Sequence, residues 1–206
     1  MPGLGRNPPH PRVKALGVAV KLGVPSSDQY SEVHFLRFCV LTLLAILPYV
    51  AVSGTVPLQE GHLRLYHTHT GEHLDIVYRH GDTYVPEALA KLDQFLRDHR
   101  TGEVHHFDPR LFDVLSDVTR AVGRPDAEIH IICGYRTPKS NEYLRTHTSG
   151  VAKSSLHMQA EAIDIRLPGT RTSKFRDAAL ALGRGGVGYY AASDFIHVDV
   201  GRVRRW

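Results

Sequence analysis

The residue order predicts an α+β domain, an antiparallel sheet with packed helices, preceded by a separate leader. Three observations carry this. Short segments with period-two patterning occur as a hairpin and as later strands, not in strict alternation with helices. Two helical stripes, each opened by a proline, lie between the hairpin and those strands. The chain is also long enough, at 206 residues, to bury a core without disulfide or metal staples.

Residues 1–37 are rich in Pro, Gly and basic side chains and show no sustained period, which reads as a disordered leader. Residues 38–53 carry no charge, but Pro48 interrupts them and they are short for a spanning helix. The basic flank, the Leu41–Leu47 centre and the small residues Ala51-Val-Ser53 fit an export signal or an N-terminal membrane anchor. Residues 54–206 form the expected domain, with a periplasmic or cell-envelope location.

Within it, His62–Tyr66 and Leu74–Tyr78 alternate around Thr70-Gly71-Glu72 and predict a hairpin. His62, His67, His69, His73 and His80 are expected on its solvent faces and turn. Pro86 opens a helix carrying Leu89, Leu92, Phe95 and Leu96, and Asp108-Pro109 caps another carrying Leu111, Leu115, Val118 and Val122. Glu128–Cys133 reads as a strand entering Gly134-Tyr-Arg-Thr-Pro138, with Cys133 a buried, inert thiol. A short helix over Ser140–Arg145 and a polar loop to Ser155 precede a strand over Ala162–Leu167. Thr172 is expected to cap a helix with Phe175, Ala178, Ala179 and Leu182 on one face. Glycines at 183–188 then turn the chain into Val187–Tyr190, and the last strand runs Phe195–Val200.

The formal charge of +4 does not mark a nucleic-acid binder. Residues 1–37 hold five basic and two acidic side chains, so the domain is nearly neutral. No phosphate loop, dinucleotide fingerprint, His-Glu-x-x-His helix or CxxC pair occurs, and no serine sits in a nucleophile elbow. What does stand out is two imidazoles with a carboxylate, His157, Asp164 and His197, a donor set that suits Zn2+ with a position open for water. Hydrogen-bonded packing of a histidine on a carboxylate explains any single pair as well. Asp194, three residues before His197, is either a general base or a turn residue. Arg136 offers a guanidinium fork for a carboxylate or an oxyanion, or a salt bridge. Ser155 either contacts substrate or bonds within its loop, and Asp199 is either a further ligand or a support for one.

Ser155-Leu-His157 through Ala162-Ile-Asp-Ile-Arg-Leu-Pro-Gly169 closely resembles the YcbK-like, DUF882 branch of the M15 zinc peptidases. These are LAS-type murein endopeptidases and relatives of D-Ala-D-Ala carboxypeptidases. The resemblance extends over Gly134-Tyr-Arg-Thr137, Gly186-Val-Gly-Tyr-Tyr190 and Phe195-Ile-His-Val-Asp-Val-Gly201, and covers roughly residues 61–206. It implies a small α+β peptidase fold, His157, Asp164 and His197 as zinc ligands, and Asp194 as the catalytic acid–base. It further implies Arg136 and Ser155 at substrate- or transition-state-contacting positions. The implied substrate is the peptide crosslinks or stem peptides of peptidoglycan, with cleavage as an endopeptidase. No nucleic acid or specific protein partner is implied. The rival is a noncatalytic peptidoglycan-binding or envelope-structural domain of the same fold. One departure stands out: Ala160-Glu161 falls where the family carries a glycine, and a modest loop adjustment is the expected accommodation.

Overall fold

The computed structural model describes residues 59–148 and 150–206, so the leader and the apolar segment 38–53 lie outside the described residues. No helix among the described residues is long and apolar enough to cross a membrane.

One eight-stranded sheet organises the domain. Its strands are β1 (Glu60–His67), β2 (His73–His80), β3 (Thr83–Tyr84), β4 (Ile129–Cys133), β5 (Ala162–Arg166), β6 (Gly186–Tyr190), β7 (Phe195–Asp199) and β8 (Arg204–Arg205). Their order across the sheet is β3-β2-β1-β4-β5-β7-β6-β8. The expected hairpin forms as β1 against β2. The sheet is mixed, not purely antiparallel, because β4 returns parallel to β1 and β8 lies parallel to β6. A crossover through two helices allows the first of these: the chain leaves β3, passes through both helices and re-enters the sheet beside β1. The two-residue strands β3 and β8 are too short to leave a period in the sequence.

Among the described residues four α-helices pack with the sheet: α1 (Pro86–Phe95), α2 (Pro109–Ala121), α3 (Pro138–His147) and α4 (Thr172–Leu182). Asp108 caps α2 as expected, accepting from the Arg110 backbone N–H. Thr172 does not cap α4. It is the first helical residue, and its hydroxyl donates to the Asp194 carboxylate.

Leu92, Leu96, Phe112, Leu115, Ile131, Ile163, Ile165, Phe175, Ile196 and Val198 belong to one buried core on the helical side of the sheet. Each such side chain contributes roughly 1.5–3 kcal/mol of burial. Because strand side chains alternate, committing Ile163, Ile165, Ile196 and Val198 to that core sends Asp164, His197 and Asp199 to the other face. A bulge in β4 adds to this face. Ile131 pairs with Ile165 but Cys133 with Asp164, so Ile132 is the extra residue that re-aims the strand end.

Candidate metal centre

Asp164 and His197 are direct cross-strand partners on β5 and β7, and the register alone brings their side chains together. His157 arrives from a short 3-10 turn, Leu156–Gln159, which is docked on the loop after β4. The His157 carbonyl accepts from the Arg136 N–H at 3.1 Å. Its ring Nδ1 lies 2.9 Å from the Gly134 carbonyl. Gly134 itself is pressed on the end of α1, where a Cβ would stand 2.5 Å from the Leu96 carbonyl oxygen.

The three groups converge. His157 Nε2 lies 3.1 Å from His197 Nδ1, and Asp164 Oδ1 is 3.2 Å from the first and 2.9 Å from the second. The outer ring nitrogens set the protonation. His157 Nδ1 faces a carbonyl and His197 Nε2 faces the Asp199 carboxylate at 3.2 Å, so each outer nitrogen is the donor. The inner nitrogens then present lone pairs to each other and to a carboxylate. A shared cation satisfies this arrangement, whether a proton on His157 Nε2 or a metal ion, and two nitrogens with one oxygen suit a divalent transition metal. The pKa directions express the same demand. Burial opposes charge on both groups, yet Asp164 and the Cys133 sulfur raise His157, while His157 and His197 lower Asp164.

Cys133 is the site residue that sequence reasoning missed. Cys133, His157 and Asp164 can each place a ligand atom within 4.8 Å of the other two, a cluster able to chelate a metal ion. Its sulfur accepts from Arg136 Nη2 at 3.3 Å, and His157 and Arg136 lower the thiol pKa against the effect of burial. The signal was the bulge, which no residue pattern announces. Arg136 is buried in the same layer. Nη2 also lies 3.7 Å from Asp164 Oδ2, Nη1 donates to Asn141, and Nε has no partner among the described residues.

Arg136, His157, Asp164 and His197 open on a cleft of about 420 Å³. Residues 150–152 and 154–156, Ser155 included, line it, and Tyr190, Phe195 and Trp206 add an aromatic surface. Asp194 does not line the cleft. It closes the turn before β7 in a left-handed conformation, with φ 52, and its carboxylate is held by Thr172 and by Arg166 at 3.3 Å. The other left-handed non-glycine residue is Ala160, φ 54, fully buried at the end of the His157 turn. Alanine there takes up a left-handed conformation that a glycine would occupy more easily.

Known proteins resemble the chain over the whole of this domain. A family model described as peptidoglycan L,D-endopeptidase MepK matches residues 57–206. The chain is 39% identical over 163 residues to the probable peptidoglycan L,D-endopeptidase MepK of Haemophilus influenzae, covering 79% of this chain and 88% of the relative. It is likewise 39% identical over 162 residues to peptidoglycan L,D-endopeptidase MepK of Escherichia coli K12, with the same coverage.

Proposed function

Because the chain belongs to the Peptidase_M15_2 family, we propose that it is a zinc-dependent peptidoglycan L,D-endopeptidase, hydrolysing peptide crosslinks in the cell envelope. The observation that carries the metal reading is the convergence of His157 Nε2, Asp164 Oδ1 and His197 Nδ1, with both outer ring nitrogens already committed to acceptors. In this reading those three side chains hold Zn2+, whose chemistry is Lewis-acid activation of water and of the scissile carbonyl.

The chain's own residues supply the rest. Arg136 carries a buried positive charge beside Asp164, which keeps one carboxylate oxygen occupied while the other faces the two imidazoles. It stabilises negative charge developing on a substrate carbonyl at the cleft floor. Ser155, on the cleft wall, has its hydroxyl free of any helix-capping bond and is placed to orient a peptide. The aromatic surface excludes water from one side of the bound chain. Asp194 accepts from Thr172, pairs with Arg166 and braces the turn before β7, so acting as the proton acceptor requires its carboxylate to turn toward the cleft.

The test is incubation of the full chain with crosslinked muropeptides, with products resolved by mass. Zinc-dependent release of peptides cut between an L- and a D-residue supports the reading. A zinc-loaded chain that cuts no crosslink overturns it in favour of binding without catalysis. Asp194→Ala separates the two roles of that residue: loss of turnover with zinc retained makes it the proton acceptor, and retained turnover makes it a turn brace.

A further inference from the structure

We infer that Arg204 and Asp199 are positioning residues for the metal centre, acting as a guanidinium–carboxylate relay that fixes which nitrogen of His197 faces the cleft. The inference rests on the zinc reading above, but its central readout does not require the metal.

Asp199 is almost fully buried, and both its oxygens are saturated. Oδ1 accepts from the Gly186 N–H at 2.8 Å, from the Gly201 N–H at 2.9 Å and from Arg204 Nη1 at 3.3 Å. Oδ2 accepts from Arg204 Nη2 at 2.8 Å and faces His197 Nε2 at 3.2 Å. A carboxylate held by two amides and a two-pronged guanidinium cannot rotate, and it has no proton to give. His197 Nε2 must therefore be the donor, which leaves Nδ1 as the lone-pair nitrogen beside Asp164 and His157.

The space around the relay is committed to it. A Cβ on Gly186 would stand 2.4 Å from Asp199 Oδ2 and 2.9 Å from Arg204 Nη1. Arg204 is itself delivered by β8, which adds to the sheet edge beside β6, with Gly186 opposite Arg204. Trp206 continues the strap: its N–H donates to the Val187 carbonyl, and its carbonyl accepts from the Tyr189 N–H. Its ring packs 5.0 Å from the Arg204 guanidinium carbon and 5.2 Å from the His197 ring. Arg204 thus reaches the His197 ring through one carboxylate, and Trp206 packs against that ring directly.

Two substitutions test this in the full chain. Asp199→Asn keeps the shape but can present an amide N–H to His197 Nε2, which moves the ring proton to Nδ1. Arg204→Gln removes the guanidinium from a partly exposed position without opening the core. In metal-free protein, long-range 15N–1H spectra of the His197 ring are expected to show the Nε2–H tautomer in the wild type and its loss in D199N. Competition titration with Zn2+ is expected to give an affinity lowered roughly 10- to 100-fold in D199N and about 10-fold in R204Q. Partial recovery is expected in Arg204→Lys. An unchanged His197 tautomer in D199N, or Zn2+ affinity in both D199N and R204Q equal to that of the wild type, overturns the relay. If the wild type takes up no Zn2+ while the tautomer still follows Asp199, the relay stands and the zinc reading fails.

Discussion

Two groups of histidines in this domain have opposite electrostatics. In the cleft, His157 and His197 share a carboxylate, and His157 is pushed toward its charged form. At the far end of β1, His67, His69 and His99 face one another. The last two rings stack at 4.0 Å, and His67 lies 6.1 and 6.0 Å from them. Burial, then its imidazole and arginine neighbours, lower His99 to about 4, and burial with His69 lowers His67. Buried His67 Nε2 has no hydrogen-bond partner among the described residues. His67 is also the exception to the expectation that the hairpin histidines lie on solvent faces. Imidazoles near one another are therefore not enough. A buried carboxylate and committed outer nitrogens are what make the pair in the cleft able to hold a cation.

The largest expected effect breaks one side of this comparison. His157→Ala with His197→Ala should abolish zinc retention and hydrolysis together. Mass spectrometry of the metal content should then find no stoichiometric zinc left on His67, His69 and His99. One equivalent retained there would show that the second cluster needs no carboxylate.

A smaller effect concerns acid. His99 binds its proton less readily when folded than unfolded, so the unfolded chain gains protons first as the pH falls. Stability should be full above about pH 6.5 and decline toward the folded value near 4. Replacing His99 by Gln should flatten the slope of thermal stability between those pH values, by roughly 1 kcal/mol after allowance for partial solvent screening. An unchanged slope would show that the mutual lowering is not what the cluster contributes.

The smallest effect sharpens the comparison at the backbone. The turn beside His67 and His69 uses Gly71 in its left-handed position, whereas the turn that presents His157 uses Ala160. Ala160→Gly should relieve strain worth about 1 kcal/mol, seen as a raised melting temperature. A lowered melting temperature would show that the alanine methyl, buried in the core, is worth more than the strain costs.

Much of this was legible before any coordinates. Period-two and helical stripes placed β1, β2, α1, α2, β4, β5 and β7 close to their observed bounds, because burying an apolar face leaves its period in the chain. The choice of His157, Asp164 and His197 as candidates needed only donor chemistry and ordered motifs. Asp194 was a reasonable base by spacing, yet a left-handed turn points its carboxylate at Thr172 and Arg166, and turn direction is not written in a three-residue interval.

The sequence by itself determined that His157, Asp164 and His197 could bind a metal and that strands would carry the last two, since both follow from side-chain chemistry and local periodicity. Tertiary structure decided the rest. The β5–β7 register set Asp164 opposite His197, the β4 bulge brought Cys133 to Asp164, and the β8 strap brought Arg204 to Asp199. Each of these is a contact between segments whose relative placement depends on hydrogen bonds made across the sheet. Local patterning fixes what a strand presents; only pairing fixes what it meets.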